Sequence, residues 1–245
     1  MKVRLRQVEA LLDRFPWGKD GCPGRPAGTR EAQLEAIERW VANGTSEHGH
    51  FALALIARLR PILDEVTDAI QAEEGDRFVY RFDSTNLVKS PSSILEKMAR
   101  EPGAGDANFD FRTFSHEMDD IARFRIVVNF LSDIDCSRKA ICAAFYRAEG
   151  AAPVSQAQQD LYREFQLMSG NFRDEINLIP AERKKGERCL KGSFRPVSPS
   201  PPFRIEVQIQ RNCKKLGTRR TTISSMSHAV RVRRRIQKVN GRHLQ

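Results

Sequence analysis

MDDIARFRIVVNFLSDI, residues 118–134, is the stretch from which the rest of the chain can be ordered. Phe124, Ile126, Val128 and Phe130 alternate with Arg123, Arg125, Val127 and Asn129. That period of two belongs to a strand with one apolar face and one face carrying arginines. Asp119 and Asp120 stand just before it, and Asp133 and Asp135 follow. The latter put negative charge where a helix from about Ile134 to Arg147 presents its free N–H groups.

Upstream lies KSPSSILEKMAR, residues 89–100. Ser90 is suited to cap a helix whose first position, Pro91, has no N–H to leave unpaired. Ile94, Leu95 and Met98 then face a core. Ser93, Lys97 and Arg100, at i, i+4 and i+7, align on another face beside Lys89, a basic strip that also bears a hydroxyl. Residues 78–82 alternate as a short strand and lead to a polar turn over 83–86.

Downstream, residues 156–169 read as a helix, and 175–179, 188–194 and 203–210 as strands. In the last of these Arg204, Glu206 and Gln208 share one face while Ile205, Val207 and Ile209 share the other. The run AERKKGERCLK, 181–191, carries five basic side chains and is either a solvated hairpin tip or a cradle for phosphate. The expected class is α+β, a mixed sheet flanked by helices.

Before this region, 16–30 reads as a Gly/Pro-rich loop and two amphipathic helices follow, 31–43 and 46–73. The second is expected to kink or split at Pro61, with Leu53, Leu55, Ile56, Leu59, Ile62, Leu63 and Val66 forming its apolar face. His48 and His50 lack a third ligand nearby and read as solvated imidazoles.

The whole chain has 245 residues, 40% hydrophobic and 29% charged, with 15 Gly and 12 Pro, a globular profile that excludes collagen-like and low-complexity classes. No run nears the roughly 18 apolar residues of a membrane span. Residues 1–15 mix Arg and Glu into their Leu and Val positions, so a cytoplasmic protein without a membrane partner is expected. The five cysteines are scattered, with no C-x-x-C pair, and are expected to be reduced thiols rather than disulfides or zinc ligands. The net charge of +10 resides in the tail: residues 211–245 hold 11 Lys and Arg and no Asp or Glu, which leaves 30 basic against 31 acidic residues, net −1, before them.

KSPSSILEKMAR, MDDIARFRIVVNFLSDI and RIEVQIQ (204–210), in that order and spacing, resemble the synthetase domain of the RelA/SpoT family of alarmone pyrophosphokinases. The resemblance spans about 76–210 and implies a nucleotidyltransferase-like fold. It also implies Mg²⁺-dependent transfer of the β,γ-pyrophosphoryl group of ATP to a ribose 3′-hydroxyl of a guanine nucleotide, that is, (p)ppGpp synthesis. On that pattern Asp120 and Glu206 are the metal ligands and, with Gln208, the catalytic group. Glu206 serves as metal ligand or as base, and Gln208 positions it. Lys89, Ser93, Lys97, Arg100 and Arg125 bind ATP, and Lys184, Lys185, Arg188 and Lys191 bind the acceptor. Many relatives form homo-oligomers.

The chain departs from the pattern at two places inside the domain. Arg123 stands where the family has Gly, and KKGERCLKGSF lacks the Tyr and His of the usual acceptor loop. ATP or ADP, or the 3′ end of a tRNA, are therefore alternative acceptors, and a catalytically impaired nucleotide-binding relative is a third reading. Beyond Gln210 the family continues with Thr, a Leu-x-x-Ala-Trp stretch and an acidic-His motif, where this chain has RNCKKLGTRRTTISSMSHAV. With suitable codons, one base missing before Arg211 converts ELQEAWDEADHDIFN into that run. The division expected is thus a helical segment over 1–75, a synthetase domain over 76–210, and a basic tail over 211–245. The tail is either out of frame or an arm that binds RNA through its phosphates.

Overall fold

The structure, a computed structural model, describes residues 9–19, 21–74, 78–100, 111, 114–118, 120–146, 154–168, 172–174, 189–198 and 203–212. Helix α1 (Arg30–Gly44) starts at Thr29, whose hydroxyl accepts from the Ala32 N–H. Helix α2 (His48–Glu74) runs unbroken through Pro61. Pro61 and Ala57, the residue four before it, are both exposed, so the carbonyl that loses its helical donor meets water and no split results. Strand β1 (Tyr80–Asp83) and helix α3 (Pro91–Arg100) follow, then the single turn α4 (Phe114–Glu117), strand β2 (Ala122–Val128) and helix α5 (Leu131–Cys142). Helix α6 (Gln156–Glu164) leads directly into β3 (Phe165–Leu167). After it come β4 (Arg173–Asp174), β5 (Cys189–Pro196) and β6 (Ile205–Arg211).

The strands form one mixed sheet in the order β1-β2-β6-β5-β3, with β4 also pairing β5. The β2–β6 pair is parallel; the other pairs are antiparallel. Strand β6 thus sits in the middle, between β2 and β5. Its register sets Arg123 opposite Glu206 and Arg125 opposite Gln208. On its other side Gln208 faces Lys191 and Glu206 faces Ser193.

One side of the sheet is apolar. Phe124, Ile126 and Val128, then Ile205, Val207 and Ile209, then Phe194 and Phe165, are all at most 2% exposed. They pack with Leu55, Leu59, Ile62 and Leu63 of α2 and with residues of α5 and α6 in one core. Full burial of each such side chain stabilises by about 1.5–3 kcal/mol. A second core joins Leu11, Leu12 and Phe15 to Ile37 and Val41 of α1, to Ile94, Leu95 and Met98 of α3, and to Phe114, Met118 and Ile121. Helix α3 is therefore fixed from behind by α1, and its basic face is left toward the sheet edge.

Several sequence expectations are corrected. Leu53 is 52% exposed: it lies two residues, about 200° of helix, from buried Leu55. His48 is buried, stacked on the Phe203 ring at 3.9 Å, rather than solvated. The helix beginning at Gln156 stops at Glu164, because Phe165 and Leu167 pair with Pro196 and Phe194 of β5. Phe130 is 63% exposed and precedes α5 instead of extending β2; its N–H donates to the Asp133 carboxylate at 3.1 Å. The strand expected over 175–179 lies outside the described residues, as does the chain beyond Asn212. Cys22, Cys136, Cys142 and Cys189 are not joined in disulfides, and burial pushes Cys136 and Cys142 up to about 11. No helix among the described residues is long and apolar enough to cross a membrane.

Candidate active site

After β1 the chain makes an excursion over 84–86 and returns to the same edge of β2. The Arg123 N–H donates to the Leu87 carbonyl at 2.8 Å and the Lys89 N–H to the Ile121 carbonyl at 2.9 Å. Lys89 is thereby held beside the start of β2. Ser90 caps α3 through the Ser93 N–H (3.3 Å), as its sequence position predicts. The burial of Ile94, Leu95 and Met98 turns Lys97 the other way.

The two lysines meet at Asp120. Lys89 Nζ donates to its Oδ2, and Lys97 Nζ to its Oδ1 at 2.6 Å. All three side chains are largely shielded, at 14%, 21% and 24% exposure for Lys89, Lys97 and Asp120. Burial pushes the Asp120 carboxyl up, but the hydrogen bonds from Lys89 and Lys97 outweigh it and hold it below the usual carboxylate range. Asp120 is therefore an anion with a cation on each oxygen.

A second chain of bonds crosses the polar side of the sheet. The Arg125 Nε donates to the Gln208 Oε1 at 3.1 Å, and the Gln208 amide nitrogen donates to the Glu206 Oε1. Arg125 also faces Asp83 of β1 at 3.6 Å. Asp83 accepts from the Thr85 hydroxyl at 2.8 Å, and that bond is the main reason its carboxyl is held below the ordinary value, with Arg125 and Arg81 adding to it. Arginine can serve both partners at once because its guanidinium donates from several N–H groups in fixed directions. The outcome is a fixed amide: the Gln208 oxygen goes to Arg125 and its nitrogen to Glu206.

Sequence reasoning thus selected Lys89, Lys97, Asp120, Arg125, Glu206 and Gln208, and each lies at the β1–β2–β6 part of the sheet or on α3 beside it. Ser93 is nearby but its hydroxyl bonds Ser90. Lys191 lies on β5, opposite Gln208. The Arg100 side chain and Lys184, Lys185 and Arg188 lie outside the described residues. Asp83 and Thr85 were not singled out in the sequence; the polar turn gave a signal, but only the antiparallel register links Asp83 to Arg125.

Among the described residues no group of three or more His, Cys, Asp and Glu side chains could hold a metal ion. Asp120 and Glu206 offer oxygen atoms of the kind Mg²⁺ takes, with both Asp120 oxygens here accepting from Lys89 and Lys97. The two carboxylates are hard oxygen donors, one of them held ionised, and Mg²⁺ is commonly held by one or two carboxylates with phosphates and waters completing its shell.

No family model and no curated protein matches the chain. Among solved structures it is similar to a GTP pyrophosphokinase family protein from Streptococcus pneumoniae, 18% identical over 71% of this chain and 70% of that one, TM-score 0.43. It is also similar to small alarmone synthetase 1 from Bacillus subtilis bound to its product pppGpp, 20% identical over 84% and 92%, TM-score 0.43. At such identities and scores these are likenesses only.

Proposed function

We propose that the chain is a pyrophosphokinase that moves the β,γ-pyrophosphoryl group of ATP onto the ribose 3′-hydroxyl of a guanine nucleotide. One observation carries the reading. A carboxylate clamped by two lysines lies beside a sheet face on which arginine, glutamine and glutamate are chained together, and these residues come from the three motifs of the resemblance. Polyphosphate transfer calls for such a set: cations to neutralise charge growing on phosphate oxygens, and carboxylates to hold a divalent ion and accept a proton.

The chemistry then divides among the residues. The 3′-oxygen forms a bond to the β-phosphorus, the bond from that phosphorus to the α,β-bridging oxygen breaks, and AMP leaves with the bridging oxygen. Glu206 takes the proton of the hydroxyl, and Gln208 fixes which of its oxygens is free to do so. Arg125, Lys89 and Lys97 stabilise the charge on the transferred group and on departing AMP. Asp120 and Glu206 would hold Mg²⁺, which when bound neutralises phosphate charge. In taking up phosphate, Lys89 and Lys97 exchange the Asp120 carboxylate for phosphate oxygens.

The test is to incubate the protein with γ-³²P-ATP and Mg²⁺, offering GDP, GTP, ADP, ATP and bulk tRNA separately. Label in GDP or GTP is the expected result. Label in ADP, ATP or tRNA would keep the reaction and replace the acceptor. No transfer to any acceptor, with ATP bound, would overturn the proposal in favour of a nucleotide-binding relative without turnover.

A further inference from the structure

Lys89, Lys97, Arg123 and Arg125 are the cations with described side chains on β2, the segment beside it and α3, and three of these are committed: Lys89 and Lys97 to Asp120, and Arg125 to Asp83 and Gln208. Arg123 differs. Among the described residues its guanidinium has no hydrogen bond or ion pair, although it is half-buried. Its neighbours Ala122 and Phe124 point into the core, at 0% and 2% exposure, so the Arg123 side chain leaves from the polar side, as Arg125 does two residues later. Its backbone is held on both edges, by the Leu87 carbonyl and by the parallel register with Glu206.

None of its nitrogens is sealed from solvent without a partner, so the donors of this guanidinium are open to acceptor atoms that a ligand brings. Glu206 is the nearest carboxylate by register, but its Oε1 already takes the Gln208 amide. A polyphosphate brought to this face would be repelled by Glu206 unless a cation stood between them, and the residue opposite Glu206 is Arg123. The planar fork of N–H donors suits phosphate oxygens two at a time, which an ammonium does not.

We infer that Arg123 is a polyphosphate-binding residue, the cation free to make the first contact with a triphosphate chain while Lys89, Lys97 and Arg125 are still bound to protein partners. This rests on the reading of the site as one for ATP, and it adds a residue at the position where the family pattern has Gly.

The probe is inorganic tripolyphosphate without Mg²⁺, titrated calorimetrically into the full chain at fixed ionic strength. R123Q is expected to weaken binding at least tenfold with an unchanged melting temperature, because among the described residues the side chain has no hydrogen-bond or ion-pair partner. R81Q removes the same charge from the exposed edge strand of the same face and is expected to change binding less than twofold. R123K, the variant to use should R123Q fold poorly, is expected to bind severalfold more weakly than the wild type. The inference is overturned if R123Q or R123K binds as the wild type does, if R81Q matches R123Q, or if the wild type does not bind tripolyphosphate. The transfer assay separates the two proposals. Loss of binding in R123Q from a wild type that transfers nothing would keep Arg123 and remove the reaction, whereas transfer with unmoved R123Q binding would remove Arg123 alone.

Discussion

Replacing Asp120 by Asn takes one charge out of a cluster of three and leaves the lysines facing a neutral amide. At an effective dielectric constant of about 20, each attraction is worth about 4 kcal/mol at 4 Å. Mutual repulsion of the ammoniums and the several kcal/mol needed to desolvate each ion offset most of that, so the intact cluster contributes little net stability. Removal of one partner is a different quantity. Where charges are fully buried it costs about 3–5 kcal/mol. Lys89 and Lys97 keep 14% and 21% of their surface and can turn partly to water, so D120N is expected to lose about 2–3 kcal/mol at pH 7. Urea unfolding measures this, and K97M added to D120N should recover about 1 kcal/mol by removing an unpaired ammonium. The pH dependence has a definite sign. Asp120 is more acidic folded than unfolded, so its contribution is complete above the unfolded value and disappears as pH falls through the folded one. D120N should lack that segment of the acid limb. A loss below about 0.5 kcal/mol, the scale of an exposed ion pair, together with no recovery in K97M, would refute the reasoning.

Other outcomes follow from the same geometry. Glu206→Gln should lower transfer at least about hundredfold, since it removes the proton acceptor and one of the two carboxylates proposed for Mg²⁺; equal turnover would remove Glu206 from both roles. His48 has a buried, unpartnered Nδ1, an Nε2 3.5 Å from the Ser115 carbonyl and a ring stacked on Phe203. Burial, with His116 nearby, holds it below its ordinary value, so stability is complete above the unfolded imidazole range and falls on acidification through it. H48F should flatten the melting temperature between pH 7 and 5, and an unchanged slope would assign the effect elsewhere. A Cβ on Gly192 would lie 2.7 Å from the Phe172 ring, so G192A should cost about 1–3 kcal/mol in urea unfolding, and a neutral result would mean the ring moves freely. A chain rebuilt with Thr and ELQEAWDEADHDIFN after Gln210 should melt higher than this one, and source DNA that encodes the tail with no base missing would end the frame hypothesis.

What could be read from the sequence was what local periodicity determines. The alternation in β2 and β6 gave both faces of the central pair, and Ser90-Pro91 with Ile94, Leu95 and Met98 gave α3 and the direction of Lys97. Arg125 and Gln208 could be assigned to polar faces, yet nothing near either residue says that they are register partners. The pairing of Asp83 with Arg125 was equally hidden, because it depends on how β1 aligns along β2. His48 is buried only because Ser115 and Phe203 arrive from distant parts of the chain. The helix was extended to residue 169 because Phe165 and Leu167 fit a helical pattern as well as a strand until β5 is there to pair with them.

Among the described residues, the central strand of the sheet is also the last strand in chain order, and this has a consequence for how the molecule comes into being. Until β6 is available, β1 with β2 and β3 with β5 are two separate ribbons, each with an unsatisfied inner edge. The parallel contact that unites them links residues more than eighty positions apart, a slow loop to close compared with a hairpin. A nascent chain emerging from the ribosome therefore carries both halves of the site before it carries a site. Insertion of residues 205–211 assembles the sheet and the Arg125–Gln208–Glu206 relay in the same event.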